Sequence, residues 1–322
     1  MISTCQPKTV YSSFNFPASL CLSLNNILKN DLNNLLQKFP GAQEPDFVAT
    51  LAISSVPKIA KQLNNSLKQK SIKLKLHTIF CHLSPQIQFK GTSCELGDIL
   101  IVHIHKRLNG SQFGRALLLQ AKMASKNKPI SKIPPSQEQL YSTWPRFKYY
   151  RSGFLTGQER KVFENNSTND RQFLLIDKTN KTLLCSRLPL NGSSYKPTDF
   201  AATIIDVLQG CCGRNFDSCK KHGIGWSRVV WDLIEIGKLK LFNRNNINQR
   251  SVPRFNLVAQ AQKNIAPFFS GYAEYRSINC LNKTQSSNEN GFFVFLFETS
   301  QFPPQLSQDK VPPVCSDLHS AL

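Results

Sequence analysis

Two apolar segments joined by a turn constrain the fold of this chain more than any other feature. Residues 97–105 (GDILIVHIH) and 115–122 (RALLLQAK) have the length and composition of buried strands, and the connection KRLNGSQFG contains Asn-Gly and a second glycine. This pattern is typical of a hairpin with a longer loop. The start of the first strand should therefore lie beside the end of the second, which brings Asp98 close to Gln120 and Lys122.

Polar side chains at the end of an otherwise apolar strand need an explanation. Gln120 and Lys122 are two positions apart, so in a strand both side chains face one side of the sheet while Ala121 faces the other. Taken singly, a strand-end lysine more often extends along the surface into solvent. Together with Asp98, the two residues favour a functional cluster.

The segments around the hairpin indicate an α/β protein. Their hydrophobic patterns predict these elements: helices over 20–39, 47–70 (restarted at Pro57), 136–144, 198–210 and 225–237, and strands over 72–82, 171–178, 182–188 and 292–297. The order helix, three strands, helix, strand over residues 47–178 predicts a mixed central sheet flanked by helices.

The same patterns divide the chain into four segments. We expect an N-terminal helical extension (1–46, with a break at PGAQEPD), a core (47–190), a mostly helical C-terminal region (191–300) and a disordered, proline-rich tail (301–322).

Charge points to the class of partner. The net charge is +20, from 40 Lys and Arg against 20 Asp and Glu. Within residues 47–137 the only acids are Glu95 and Asp98. Such a balance attracts polyanions, of which nucleic acid is the usual one, although a basic solubilising surface has the same composition.

The predicted cluster has the chemistry of a magnesium site. Mg²⁺ prefers oxygen ligands. Asp98 offers a carboxylate, Gln120 an amide carbonyl and Ala121 a backbone carbonyl. Lys122 would orient the attacking water and stabilise charge on a phosphodiester. Glu95 is either a further metal ligand or a solvated loop carboxylate.

Strand-borne Asp98 followed by Gln120-x-Lys122 resembles the PD-(D/E)xK nuclease superfamily, in particular the restriction endonucleases with glutamine in place of the second acid. The order of elements over 47–178 is similar as well. The resemblance implies a restriction-endonuclease-like sheet, Mg²⁺ or Mn²⁺ as cofactor, metal binding by Asp98 and Gln120, and a catalytic Lys122. The family often adds a glutamate from the first helix. Helix 47–70 contains no acid, and Glu44 and Asp46 precede it.

Two basic segments are candidates for DNA contacts. The first is the proline-containing loop 125–137, and the second is the aromatic stretch TWPRFKYYR at 143–151. Aromatic and basic side chains together suit stacked bases and phosphates. The alternative for Trp144 and Phe147 is core packing. The expected phosphate-binding residues are Lys126, Lys128, Lys132, Arg146, Lys148 and Arg151.

Other histidine and cysteine residues could bind a metal, but each has a structural alternative. His103 and His105 share a strand face, where a histidine pair more often packs than binds metal. Cys212, Cys219 and His222 have a spacing that matches no common zinc finger, and a reduced loop is the alternative.

The sequence as a whole suggests a soluble, cytoplasmic protein, because it has neither a secretory signal pattern nor a membrane-length apolar run. We expect a metal-dependent nuclease of DNA, of restriction or defence type, with a homodimer left open. The alternatives are a non-catalytic nucleic-acid-binding protein of the same fold and a basic scaffold for a protein partner. Steep salt dependence of DNA binding separates the first two from the third.

Overall fold

The predicted hairpin lies at the centre of the sheet. Strands β4 (Ile99–Lys106) and β5 (Gln112–Met123) pair antiparallel, with Ile99 opposite Leu119. In the turn, Arg107 N donates to Ser111 O (2.9 Å) and Gly110 N donates to Arg107 O (3.0 Å). Gly110 has φ +80°, a backbone conformation that glycine adopts without steric cost. The Asn-Gly signal therefore fixes the register of the two strands that carry the predicted site.

A computed structural model describes residues 14–68, 72–81, 85–124, 133–150, 152, 155–163, 170–187, 197–219, 223–240 and 292–301. The helices are α1 (Ala18–Lys38), α2 (Glu44–Thr50), a π-helical turn (Leu51–Ser55), α3 (Val56–Lys68), α4 (Pro135–Thr143), α5 (Phe200–Gln209) and α6 (Gly225–Lys240). The remaining strands are β1 (Ile72–Cys81), β2 (Gln86–Phe89), β3 (Thr92–Glu95), β6 (Phe147–Tyr150), β7 (Glu159–Arg160), β8 (Arg171–Asp177), β9 (Thr182–Ser186), β10 (Thr198–Asp199), β11 (Arg214–Phe216) and β12 (Phe292–Gln301).

The central sheet is mixed, as the sequence predicts. Its order is β1-β12-β4-β5-β8-β9-β10, and β11 pairs with the first part of β5. β5 runs antiparallel to β4 and parallel to β8. β2, β3, β6 and β7 form a second, four-stranded sheet in the order β3-β2-β6-β7. The α/β class and the mixed sheet are thereby confirmed.

The late strand β12 has a position that the order of elements did not suggest. It lies between β1 and β4, antiparallel to the first and parallel to the second. Its sequence, FFVFLF, is apolar at successive positions instead of alternate ones, and Phe295, Leu296 and Phe297 are all buried. Such a strand is stable only where both of its faces are covered, which is a central position.

Each face of the central sheet has its own hydrophobic core. One core contains side chains of α1, α2, α3 and α5, packed on Ile99, Ile101, Leu117 and Leu119. The other contains α4, α6 and the four-stranded sheet, packed on Leu100, Val102, Ala116 and Leu118. This alternation places the even-numbered residues of β4 and β5, including Gln120 and Lys122, on the second face, and Asp98, one residue before β4, continues it.

The helical segment α2–α3, predicted over residues 47–70, begins earlier than predicted. PGAQEPD was expected to be a break, but α2 starts within it at Glu44. Gln43 N donates to the Asp46 carboxylate (2.7 Å) in a capping box, and Pro45 occupies the first turn, where a missing N–H costs nothing. The division predicted at residues 46/47 therefore falls inside α2. Glu44 stands at the first position of the helix.

The helix changes its pitch before Pro57, near the predicted restart. The π-helical turn Leu51–Ser55 leads into α3 at Val56. Asp31 of α1, buried to 2% exposure, accepts hydrogen bonds from Ser55 Oγ (2.9 Å) and from Lys58 Nζ. This carboxylate ties α1 to the helix that carries Glu44.

Most of the other predicted elements are confirmed within a few residues. The exception is residues 198–199, which form the short strand β10 instead of the first residues of a helix. The predicted disordered tail lies outside the described residues, except for Gln301. None of the helices in the described ranges has both the length and the apolar character needed to cross a membrane.

Candidate functional site

Asp98 and Gln120 lie one position beyond Ile99 and Leu119, the first pair of the β4–β5 ladder. Asp98 N donates to Leu119 O (2.8 Å), so Asp98 continues the strand by one residue. Its carboxylate Oδ2 accepts hydrogen bonds from Gln120 Nε2 and from Ala121 N (2.7 Å). Asp98 is 4% exposed and Gln120 is fully buried. The hairpin thus brings these two predicted metal-binding residues into direct contact.

Lys122 extends from the same face of β5, two residues beyond Gln120. Its Nζ lies 3.7 Å from Oε1 of Glu44, and both side chains are mostly buried. The family resemblance implies an acid from the first helix, and a helix that starts at residue 47 has none, whereas α2 starts at Glu44. The capping box of Gln43 and Asp46, with Pro45 at the start, was the signal that would have located Glu44 on the helix.

Glu95, the last residue of β3, also belongs to this cluster. Burial raises the pKa of Asp98, and the charges of Glu95 and Glu44 raise it further, whereas Lys122 and the Ala121 amide lower it. Burial raises the pKa of Glu44 to about 7, Lys122 opposes this rise, and Glu95 adds to it. One ammonium group therefore faces three carboxyl groups, and a bound cation would favour their ionised forms.

The donor set fits a hard divalent cation that keeps part of its water shell. No group of three or more His, Cys, Asp or Glu side chains in the described ranges forms a ready-made metal cage. Asp98 and the Gln120 carbonyl would be the protein ligands of such a cation, and Gln120 Oε1 is buried without a hydrogen-bond partner. Mg²⁺ is commonly bound by one or two protein oxygens and several waters. Glu44 and Glu95 are suited to accept hydrogen bonds from such waters.

Tyr141 of α4 supports the segment that leads into Asp98. It is 3% exposed, and its hydroxyl donates to Leu96 O (3.2 Å). Gly97 lies against it: a Cβ at this position would stand 3.0 Å from the Tyr141 oxygen and 2.7 Å from Leu118 Cδ1. The close approach of helix and strand therefore requires glycine immediately before Asp98.

Replacing Tyr141 with phenylalanine should loosen this support while the ring packing is retained. Loss of one buried hydrogen bond is expected to lower the free energy of unfolding by about 1 kcal/mol. Because Leu96 is two residues from Asp98, we also expect a weaker apparent affinity for Mn²⁺. Denaturant unfolding and Mn²⁺ titration measure the two effects. An unchanged Mn²⁺ affinity in Tyr141→Phe would limit Tyr141 to a packing role.

The four-stranded sheet presents the described part of the predicted DNA surface. The Arg146 side chain is 67% exposed, and its Nη1 lies 3.9 Å from Glu159 Oε2. Lys148 is exposed on β6. Glu95 and Lys148 flank β2 on this sheet, opposite Gln86 and Gln88 respectively. Neighbouring strands are about 4.8 Å apart, so two strand spacings, about 10 Å, separate the strand of Glu95 from that of Lys148.

The other predicted phosphate contacts, Lys126, Lys128, Lys132 and Arg151, lie outside the described residues. Trp144 and Phe147 are buried to 3% and 1% exposure. Their position confirms core packing for these two aromatic residues and leaves the basic residues of the stretch as the DNA candidates.

The histidine pair lies on the opposite face of β4 from Asp98. His103 Nε2 and His105 Nδ1 lie 2.9 Å and 2.7 Å from Thr299 Oγ1 of β12. Burial lowers the pKa of His103 to about 3 and that of His105 to about 4. The pair is part of the core, as the packing alternative predicted.

The cysteine cluster shows no zinc geometry among its described members. Cys212 is buried, and its Sγ accepts a hydrogen bond from Gln172 Nε2 (3.2 Å), while Cys219 is exposed. His222 lies outside the described residues.

Comparison of the chain with protein families, with curated proteins and with solved structures finds no match.

Proposed function

We propose that this protein is a metal-dependent nuclease that hydrolyses phosphodiester bonds in DNA. The observation that carries the proposal is the convergence of Asp98, Gln120 and Lys122 on one face of a hairpin, with Glu44 of the preceding helix 3.7 Å from the lysine. Singly, each residue has a structural explanation. A carboxylate, an amide and a lysine held together by a buried acid network are the components that metal-assisted hydrolysis requires.

The order and direction of the elements support a restriction-endonuclease-like arrangement. The helical segment α2–α3 precedes β1, the β4–β5 hairpin carries the site, and β8 runs parallel to β5. The connection from β5 to the parallel strand β8 contains helix α4, followed by β6 and β7 of the second sheet. A parallel pair requires such a long crossover connection. The insertion of β12 between β1 and β4 is a feature of this chain that the PD-(D/E)xK resemblance did not imply.

Each residue has a distinct part in the proposed reaction. Asp98 and the Gln120 carbonyl would hold Mg²⁺ or Mn²⁺, which supplies an activated water and neutralises phosphate charge. Lys122 would orient that water and stabilise the charge that develops on the phosphate. Glu44 would position the Lys122 ammonium group. Glu95 would add negative charge, which increases the affinity of the site for a cation.

A nucleic-acid substrate follows from charge. The chain carries a net charge of +20. Lys148 lies on β6 of the sheet that also contains Glu95, and Arg146 immediately precedes β6. We propose DNA as the partner, a restriction or defence role, and a cytoplasmic location. The alternative is a protein of the same fold that binds nucleic acid without cleaving it, which would bind DNA with the same steep salt dependence.

The test incubates supercoiled and linear DNA with the purified 322-residue chain in Mg²⁺, Mn²⁺ or EDTA. We expect nicking or cutting in either metal and none in EDTA, and loss of cutting in Asp98→Asn. Glu138→Gln is the matched control, because Glu138 is an exposed acid in the first turn of α4. Salt-dependent DNA binding without cutting in any metal would establish the non-catalytic alternative. Absence of both binding and cutting would contradict a nucleic-acid function.

A further inference from the structure

The Gln120 side chain uses only one of its two polar ends. The residue is fully buried, its Nε2 donates to Asp98 Oδ2, and its Oε1 has no hydrogen-bond partner. A buried acceptor without a partner is uncommon in folded proteins and has an energetic cost. The Gln120 amide therefore holds Asp98 through its NH2 group, while the hydrogen-bonding capacity of its carbonyl oxygen is unused.

Glutamine differs from glutamate at this position in a way that matters for Asp98. An amide has a donor and an acceptor, whereas an ionised carboxylate only accepts. With glutamate, a further negative charge would lie against a buried carboxylate that already has Glu44 and Glu95 nearby. The amide instead gives Asp98 a hydrogen bond and leaves a carbonyl oxygen for another partner.

We propose that Gln120 is a two-position residue that holds Asp98 through its NH2 group when no metal is bound and turns its carbonyl oxygen to the cation when one binds. We call the hydrogen bond from Gln120 to Asp98 the amide latch. The inference rests on the proposed metal site. Because a cation must break the latch, the latch lowers metal affinity, and it stabilises the metal-free chain. Gln120 is therefore a positioning residue that sets the balance between the two forms.

Three variants of the 322-residue chain separate this role from ordinary packing. Gln120→Glu removes the donor and adds a charge, whereas Gln120→Met keeps the approximate volume and removes both polar ends. The matched control is Gln172→Glu, a buried glutamine on the adjacent strand β8. Gln172 lies opposite Leu119 and so belongs to the other face of the sheet. Melting temperature in EDTA and Mn²⁺ affinity by calorimetry are the two readouts.

We expect Gln120→Glu to melt below the native chain in EDTA, and to bind Mn²⁺ about tenfold more tightly because the ligand charge increases. Saturating Mn²⁺ should recover its melting temperature. Gln120→Met should bind Mn²⁺ at least about tenfold more weakly. Gln172→Glu should melt lower without recovery by Mn²⁺. In the ¹⁵N-labelled native chain, Mg²⁺ should shift the side-chain NH2 signals that Gln120→Met removes.

Native Mn²⁺ affinity in Gln120→Met, or equal behaviour of Gln120→Glu and Gln172→Glu, would overturn the proposal. The outcome is independent of cleavage. Expected Mn²⁺ binding and melting behaviour with no cutting of any DNA would support the latch and contradict the nuclease function. Cutting that is lost in Asp98→Asn but unaffected in Gln120→Met would contradict the latch and leave the nuclease function standing.

Discussion

Replacing Lys122 with methionine is expected to lower the rate of DNA cleavage by about 10²–10³-fold, the usual effect of removing one preorganised charge from a transition state. The Lys122 side chain is 13% exposed and its ammonium group lies beside Glu44, so the charge is held in place and poorly screened by solvent. Methionine preserves the unbranched chain and removes only the charge and its donors. Single-turnover cleavage of a plasmid measures the effect.

The affinity for Mn²⁺ should not fall with the cleavage rate in Lys122→Met. Lys122 lowers the pKa of both Asp98 and Glu44, so it acts as a resident cation that competes with a divalent ion for the same carboxylates. If the proposed site binds a divalent ion, Lys122→Met should bind Mn²⁺ as tightly as the native chain or more tightly, whereas Asp98→Asn should lose both binding and cleavage. Lys106→Met, at the far end of β4, is the matched control. Full cleavage by Lys122→Met would remove this lysine from the catalytic machinery.

Replacing Glu44 with glutamine is expected to stabilise the metal-free chain at pH 8 by about 3 kcal/mol or less. Burial raises the pKa of Glu44 from 4.5 to about 7, so the folded chain holds its proton more tightly than the unfolded chain does. The contribution of Glu44 to stability consequently falls as the pH rises from about 4.5 to 7. Glutamine is neutral throughout, so the advantage of the variant should be absent near pH 4 and complete above pH 7.

Divalent cation should reverse the sign of this difference. A bound cation would favour the ionised form of Glu44. Saturating Mg²⁺ should therefore stabilise the native chain more than it stabilises Glu44→Gln. We expect the variant to bind the metal about 10–100-fold more weakly. Denaturant unfolding at several pH values, with EDTA or Mg²⁺, measures both effects. Glu138→Gln is the control, since Glu138 also lies in the first turn of a helix but is exposed. A difference between native and Glu44→Gln that is the same at every pH would contradict the assigned pKa.

Local signals were sufficient to predict the β4–β5 half of the site. The Asn-Gly turn sets the hairpin, and the two-residue period of a strand then places Gln120 and Lys122 on one face beside Asp98. The packing of Trp144, Phe147 and the histidine pair was also within reach, because apolar surroundings along the chain favour burial of such residues. These predictions depend only on residues close in sequence.

The contact of Glu44 with Lys122 and the neighbours of β12 could not be predicted from local signals, for different physical reasons. Glu44 is 78 positions before Lys122 in the sequence, and only the docking of α2 against β5 brings the two charges together. The predicted helix start was wrong because the acid lies in a proline-containing segment whose capping box was not recognised. For β12, the apolar run FFVFLF indicates a buried strand, but no local signal selects its neighbours.

The sequence alone therefore determined the hairpin, the shared face of Asp98, Gln120 and Lys122, and a charge that suits nucleic acid. The tertiary structure alone decided that Glu44 and Glu95 join them, that Gln120 donates to Asp98, and that β12 separates β1 from β4. The reason is physical: turn geometry and strand period act between near neighbours. Pairing of distant strands, burial and the pKa values that follow from burial depend on how the whole chain packs.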